Sequence, residues 1–398
     1  MRRTNSIFAI VFAVLLTLSN FSFVEVANAA SYQEKLSAYR AAYAQYQKRE
    51  KSYWAAISRK KDIRTAKRRA GKPFVREDYV LSQPPKYTGP KRPRDPNAGP
   101  IKKKPRKKST LPRANDLRAA MKDLYGHQLP KVKEKDFKLA FAREAKRVGI
   151  SAEQVIGVYA LETGGLGPFD RVSGEIPKMD RKCRVTSYVG RPLSTALGYF
   201  QLLTANTSST VAGNAKGPKA ERFANRLRAK AKEHRGKRKR QLKKKAKLVD
   251  RMIKDMNVAI SRMNVKKNNW AEFRALGRTK LGRAIHALNL DPDIGPMIQM
   301  SKLAFVRNIA VEKGLGNVPS DRLELMNLVG WPRGVKMLQP VAFNVPTANF
   351  MSAAEIRANR SVLGDKTVAE SVAKIRRVIG KRKQECGSQE FFKMWKKA

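Results

Sequence analysis

The sequence predicts an all-α fold on three observations. Apolar residues recur at helical spacing in most segments, strand-like alternation is scarce, and helix-capping signals are present. The clearest capping signals are Ser151 with Gln154, a capping box that opens a helix, and the Gly164–Gly165 pair, which ends it. The folded part of the chain should therefore consist of packed amphipathic helices.

Residues 1–29 have the three parts of a secretory signal peptide. Met1–Arg3 supplies positive charge, residues 7–18 are almost entirely apolar, and Ala27–Ala29 is a small-residue cleavage site. The apolar run is short for a membrane span, with an uncleaved anchor as the alternative, and no later stretch could cross a bilayer. We therefore expect export to the periplasm, or secretion, and no transmembrane segment after the signal is removed.

Two segments precede the main domain. Residues 30–82 form an amphipathic helical segment with a stripe of tyrosines, whose expected use is packing or self-association. Residues 83–112 are rich in proline and cations and contain almost nothing apolar, which is typical of an extended, mostly disordered linker. The linker can serve as a spacer, as an electrostatic tether to an anionic surface, or as both.

The net charge of +53 at pH 7 indicates an anionic polymer as partner. A basic helical insertion at residues 216–247 contributes much of this charge. In a cytoplasmic protein such charge would favour nucleic acid. Behind a signal peptide it favours anionic envelope polymers, and nucleic acid becomes an unlikely partner.

Neither a metal site nor a cofactor is predicted. The histidines His127, His234 and His286 follow no ligand spacing, and Cys183 and Cys386 belong to no CxxC motif. Outside the cytoplasm these two cysteines can form a disulfide, and two free buried thiols are the alternative.

Glu162 stands at the end of the apolar run VIGVYALETGG, residues 155–165. Helical spacing places it on one face with Val155, Val158 and Tyr159, in the last turn of the helix. Burial and the negative end of the helix dipole both raise the pKa of such a carboxyl. A carboxylic acid that stays protonated near neutral pH suits general-acid cleavage of a glycosidic bond. A side chain turned to solvent or paired with a cation is the alternative.

A second segment, ALGYFQLL at residues 196–203, follows Glu162 along the chain. The order of ETGG and ALGYFQ resembles that of the soluble lytic transglycosylase and goose-type lysozyme superfamily, which has Glu-Ser and then Gly-Leu-Met-Gln. Segments at residues 289–303, 325–338 and 353–363 resemble later family segments in the same order. The resemblance covers about residues 135–380, interrupted by the basic insertion.

This resemblance implies a lysozyme-like helical domain over residues 113–398 with a cleft for peptidoglycan glycan strands. Glu162 would protonate the oxygen between N-acetylmuramic acid and N-acetylglucosamine. It would then act as base while the muramyl C6 hydroxyl closes a 1,6-anhydro ring, a reaction that needs no cofactor. The implied substrate-binding residues are Thr163, Gly198, Tyr199, Gln201 and Asn327.

The sequence departs from the family at Met326, which stands where the family has a tyrosine that contacts the catalytic acid. Support for Glu162 must therefore come from elsewhere, and Tyr159 and Tyr199 are the candidates.

Two alternatives to a lytic transglycosylase remain open. A hydrolytic muramidase activates water or uses a second carboxylate, for which Asp170, Glu175 and Asp180 are candidates, although charge balance on a polar loop is the favoured interpretation of all three. A non-enzymatic, cationic wall-binding or tethering protein is the alternative from another class.

Overall fold

The computed structural model describes residues 6–99, 111–180, 184–212, 220–264 and 269–398, with the backbone alone described for residues 6–30. It consists of α-helices and one small two-stranded sheet, which confirms the predicted all-α class. The chain divides into two compact units. The first is Met1–Lys107 with Val345–Arg360, and the second is Lys108–Asn344 with Ser361–Ala398. Within the described residues, no helix is both long and apolar enough to span a membrane.

The elements have the following bounds in chain order. The helices before the sheet are α1 (Ser6–Arg69), α2 (Ala114–Tyr125), α3 (Glu134–Arg147) and α4 (Ala152–Thr163). The strands are β1 (Glu175–Met179) and β2 (Val185–Gly190). The next helices are α5 (Thr204–Val211), α6 (Ala220–Lys232), α7 (Gly236–Arg262), α8 (Trp270–Arg278), α9 (Lys280–His286) and α10 (Gly295–Glu312). The last are α11 (Ser320–Val329), α12 (Trp331–Met337), α13 (Ala353–Ala358), α14 (Arg360–Leu363), α15 (Val368–Arg382) and α16 (Cys386–Lys397).

The first unit is organised around a buried arginine on α1. The Arg64 guanidinium donates to the backbone oxygens of Asp78 at 2.6 Å and Asn349 at 3.1 Å, and it lies 4.5 Å from the ring centroid of Tyr79. The Asn349 side chain in turn accepts from Val80 N at 2.9 Å and donates to Val80 O at 2.8 Å. Because a buried guanidinium is stable only with partners, these bonds hold both segments on the helix. Val345–Arg360 thus belongs to this unit, whereas we predicted it within the 113–398 domain.

The predicted linker, residues 83–112, begins with a segment packed on the tyrosine stripe of α1. The ring of Tyr87 lies edge-on to those of Tyr39, Tyr43 and Tyr46, with centroid distances of 5.6 to 6.1 Å. The stripe therefore packs against the chain's own proline-rich segment. Part of the linker lies outside the described residues, as do the start of the predicted signal peptide and the first residues of the basic insertion.

In the second unit, α4 forms as its capping signals predict. Ser151 Oγ accepts from Gln154 N at 3.2 Å, the Gln154 side chain accepts from Ser151 N at 3.1 Å, and Gly164 ends the helix at a φ of 73°. A Cβ at Gly157 would lie 2.4 Å from the Cβ of Ser320, so the glycine lets α11 approach α4 closely. This close packing positions the functional site.

The β1–β2 hairpin occupies the stretch between Glu162 and ALGYFQLL and was not predicted. Its second strand, VTSYVG, is rich in β-branched and aromatic residues, which is a usable strand signal. Pro177 interrupts the corresponding signal in the first strand, because proline cannot donate a ladder hydrogen bond.

The basic insertion forms the paired helices α6 and α7, and buried ion pairs anchor it. Lys245 Nζ lies 2.7 Å from a carboxylate oxygen of Asp291 and 2.8 Å from one of Asp293. Lys230 and Arg238 also reach Asp293, at 3.1 and 2.5 Å. Helix α7 is continuous to Arg262, so it contains the end of the basic stretch at residue 247 and continues beyond it.

Candidate active site

The site is built where the end of α4 meets α11. Glu162 is partly exposed, whereas Glu324 is fully buried at 0 % exposure and hydrogen-bonds it. Asn327 Nδ2 lies 3.5 Å from Glu162 Oε1 and 3.5 Å from Glu324 Oε2. An ionised carboxyl can only accept hydrogen bonds, so the two carboxyls can pair only if one of them carries a proton. Oε1 of Glu324 is buried and accepts no hydrogen bond from any described group.

Burial determines the protonation of this pair. It raises the pKa of Glu162, and it raises the pKa of Glu324 further, with the nearby Glu162 charge adding to the effect. Two adjacent carboxyls in a desolvated site do not both ionise. Near neutral pH the pair therefore keeps at least one proton, and when Glu162 gives up its own, Glu324 donates towards the resulting carboxylate. Lys302 on α10 interacts electrostatically with both carboxyls. Burial lowers its pKa, and this effect is larger than the opposing effect of the two carboxyl charges.

Arg171 connects the end of α4 to the ALGYFQLL segment. Its guanidinium donates to Thr163 O at 2.5 Å and to Glu175 O at 2.8 Å. Its backbone oxygen accepts from Gly198 N at 3.0 Å and from Gln201 Nε2 at 3.3 Å. The two motifs that carry the resemblance thus lie side by side.

Gln201, Gly198 and Thr163 have roles in the local backbone. Gln201 is partly exposed, has a φ of 43° and donates to Gly198 O at 2.8 Å. Gly198 has a φ of 78°, and a Cβ there would lie 3.1 Å from Phe169 O. The Thr163 hydroxyl is buried and donates to Tyr159 O at 2.7 Å, so it is not presented to a ligand.

The hydroxyls of Tyr199 and Tyr159 bond to groups other than Glu162. The Tyr199 ring is fully buried among aromatic side chains, so it has no face for a sugar, and its hydroxyl donates to Glu134 at 2.5 Å. The Tyr159 hydroxyl donates to Gly167 O at 3.0 Å. Support for Glu162 comes instead from Glu324 and Asn327 on α11.

Met326 itself lies away from the carboxyl pair, in the contact between α11 and α12. It is fully buried, and a Cβ at Gly334 would lie 2.6 Å from its Cγ. The Met326 side chain therefore serves helix packing.

Glu134 on α3 is a further carboxyl with a shifted pKa. Burial raises its pKa to about 7, against the opposing effects of Lys138, whose Nζ lies 3.8 Å away, and of the Tyr199 hydrogen bond. It also accepts from Phe169 N at 3.3 Å. Its contacts lie in the aromatic core.

The three carboxylates considered for a second catalytic role are all ion-paired, as the charge-balance interpretation expects. The pairs are Asp170–Arg118 at 3.0 Å, Glu175–Arg113 at 2.7 Å and Asp180–Arg184 at 2.7 Å. The second carboxyl beside Glu162 is instead Glu324.

Sequence reasoning missed Glu324, Lys302 and Arg171. Glu324 precedes Asn327 by one helical turn, so the i, i+3 spacing could have placed both on one face. Lys302 lies within the segment 289–303, but a lysine in a very basic chain carries little signal. Arg171 acts through loop contacts that no periodicity reveals.

The remaining histidine and cysteine predictions concern residues outside this site. His286 is buried with a pKa lowered by burial to about 4, and its ring nitrogens contact Thr207 Oγ1 at 2.9 Å and Thr195 O at 3.1 Å. Cys386 is disulfide-bonded, and Cys183 lies outside the described residues. In the part of the chain that the structure describes, no three His, Cys, Asp or Glu side chains cluster as metal ligands would.

Comparisons with protein-family models, curated proteins and solved structures find no match for this chain. Only the geometry and chemistry of the site itself therefore bear on the function.

Proposed function

We propose that the protein is an exported peptidoglycan lytic transglycosylase with a lysozyme-like domain and Glu162 as its acid/base. The observation that carries this proposal is the hydrogen-bonded Glu162–Glu324 pair. Burial raises the pKa of both carboxyls, and only Glu162 is exposed enough to meet a substrate. A carboxyl that keeps its proton near neutral pH is what general-acid cleavage of a glycosidic bond requires.

In the proposed reaction Glu162 gives its proton to the oxygen that links N-acetylmuramic acid to N-acetylglucosamine. The bond from that oxygen to the muramyl C1 breaks as the substrate's N-acetyl group assists. The Glu162 carboxylate then accepts the proton of the muramyl C6 hydroxyl, whose oxygen bonds to C1 and closes the 1,6-anhydro ring. Throughout, Glu324 remains a positioning residue that donates to the carboxylate when it forms.

The arrangement of carboxyls favours this reaction over hydrolysis by two catalytic acids. Retaining glycosidases place their two carboxyls about 5–5.5 Å apart and inverting ones about 6.5–9.5 Å apart, with substrate or water between them. Glu324 is in hydrogen-bond contact with Glu162 and fully buried, so it reaches neither sugar nor water. The single-acid mechanism, in which the substrate supplies the nucleophile, fits such a site.

The charge of the chain supports glycan strands and anionic envelope polymers as partners. With a net charge of +53, it is attracted to a polyanionic wall. The same charge favours the second candidate, a non-enzymatic wall-binding protein. The periplasm is the proposed location, on the signal-peptide pattern of residues 1–29.

The decisive test is digestion of purified sacculi by the parent protein and by Glu162→Gln. We expect the parent to release soluble 1,6-anhydro-muropeptides, identified by mass spectrometry, and the variant to bind sacculi without releasing them. Glu312→Gln, an exposed substitution at the end of α10, is the matched control and should digest like the parent. Equal digestion by Glu162→Gln would refute the assignment. Reducing-end products from the parent would indicate a muramidase, and binding without any release would indicate the non-enzymatic candidate.

A further inference from the structure

A small cavity in the second unit is lined by two arginines. It has a volume of about 260 Å³ and lies among the end of α8, helix α9 and the loop that precedes ALGYFQLL. Its lining residues are Leu111, Pro112, Thr195, Gly277, Arg278 and Arg283. We propose that this cavity is a binding site for a small oxyanion, a carboxylate or a phosphate group.

The two arginines of the cavity have no acidic partner among the residues that the structure describes. Neither the Arg278 nor the Arg283 guanidinium forms a hydrogen bond or ion pair with any described residue, and Nε of Arg283 is buried without a partner. No acidic residue is among the described lining residues. Arginine stays protonated in proteins, and a buried donor such as Arg283 Nε is normally hydrogen-bonded. A small anion that enters the cavity would supply the missing partner.

Thr195 supplies a third polar group. Its Oγ1 accepts from Thr204 N at 3.3 Å and from Thr204 Oγ1 at 3.1 Å, which leaves its own hydrogen available to donate. Its backbone oxygen is held by His286 Nε2 at 3.1 Å, and burial keeps that histidine neutral. The hydroxyl therefore belongs to a hydrogen-bonded, uncharged part of the cavity lining. Two guanidinium groups and one hydroxyl suit the planar carboxylate or the tetrahedral phosphate.

The cavity is connected to the candidate acid through the chain. Thr195 immediately precedes the ALGYFQLL segment, whose Gly198 N donates to Arg171 O, and the Arg171 guanidinium binds Thr163 O beside Glu162. A carboxylate would come from a wall peptide, and a phosphate from an anionic envelope polymer. The binding site itself does not depend on the proposed glycan cleavage.

Isothermal titration of the purified full-length protein tests the site with three probes. These are inorganic phosphate, N-acetyl-D-alanyl-D-alanine with its free α-carboxylate, and the C-terminal amide of the same dipeptide. We expect saturable binding of phosphate or of the free acid, and none of the amide. Preference for one oxyanion identifies the source, and either preference supports the site.

Substitutions of single arginines test whether the oxyanion binds in this cavity. Arg283→Gln and Arg278→Gln should each weaken it about tenfold to a hundredfold, as expected for loss of a charge-assisted hydrogen bond. Arg274→Gln, an exposed change on the same helix α8, should leave it unchanged. Arg278 is exposed, so its variant keeps the test valid even if Arg283→Gln unfolds the protein. Absence of saturable oxyanion binding, equal binding of the amide, or an equal loss in Arg274→Gln would overturn the proposal. Because the readout is affinity, the result is independent of whether Glu162 is catalytic.

Discussion

The carboxyl of Glu324 hydrogen-bonds the carboxyl of Glu162, although the first is sealed from solvent and the second is partly exposed. This asymmetry separates two tasks. A buried carboxyl holds a proton firmly because its charged form is poorly solvated. Its partly exposed neighbour can exchange a proton with a substrate while the buried one stabilises the resulting charge.

Replacing Glu324 should change the pH profile of the proposed reaction. Glu324→Leu removes the donor that stabilises the Glu162 carboxylate, so the pKa of Glu162 rises and activity is lost at a higher pH than in the parent. The value of kcat/KM should fall roughly tenfold to a hundredfold, the cost of one hydrogen bond to a charged group. Glu324→Gln keeps a neutral donor and should retain the parent profile. A Glu324→Leu profile that matches the parent would contradict the positioning role.

Glu134 should make the protein less stable as pH rises. Its pKa is about 7 in the folded protein against 4.5 for the ordinary group, so the folded state binds the proton more tightly. The stabilising effect is fully present below pH 4.5 and is lost as pH rises through 7, on the order of 1–3 kcal/mol. Glu134→Gln should flatten this part of the stability curve, measured by urea unfolding at pH 5 and pH 8. An unchanged difference between the two pH values would be evidence against the shift.

The anchor of the basic insertion is expected to be sensitive to loss of its central lysine. Lys245→Met leaves the buried Asp291 and Asp293 without their shared partner, and breaking a buried ion pair costs about 3–5 kcal/mol. Lys243→Met removes the same charge from an exposed position of α7 and serves as the control. Urea midpoints should fall for the first variant only. Similar midpoints for both would show that the ion pairs do not hold the insertion.

Residues 91–110 should strengthen attachment to the wall without taking part in turnover. Deleting them leaves Tyr87 on its tyrosine stripe and removes a cationic segment. Retention on sacculi should weaken at low salt and converge with the parent at high salt, because exposed charges are screened beyond about 8 Å at physiological ionic strength. Cleavage of small glycan fragments should be unaffected. Identical salt dependence of the two proteins would rule out the tether.

Local signals predicted the secondary structure around the site well. The capping box at Ser151 and the glycine after Thr163 fix α4 by neighbouring residues alone, and the structure confirms both ends. Motif order made Asn327 a candidate for substrate binding, and the structure brings its Nδ2 to 3.5 Å from Glu162 Oε1. The pairing with Glu324 depends on the close packing of α4 and α11. Gly157 permits this packing, but a single glycine in the sequence does not predict it.

Long-range assignments were harder to predict. Tyr199 follows a motif glycine, yet its ring points into an aromatic core that assembles from several helices. Residues 345–360 were assigned by their position in the chain, whereas the bonds of Asn349 to Val80 and Arg64 decide where they belong. Such contacts join residues far apart in sequence, so no local pattern records them.

The hydrogen bond from Arg64 to Asn349 O also affects how this protein can be divided into fragments. A protease that cuts the proline-rich linker would break the polypeptide into two fragments. The first unit would stay assembled, because it includes a segment from near the other end of the polypeptide. The N-terminal fragment should therefore stay associated through gel filtration in native buffer and dissociate only in denaturant. A protein truncated at the linker would contain the second unit, and its residues 345–360 would lack the first-unit residues that they contact. The first unit is built from two separate segments of the chain, so a single recombination event in the gene could not remove or exchange it.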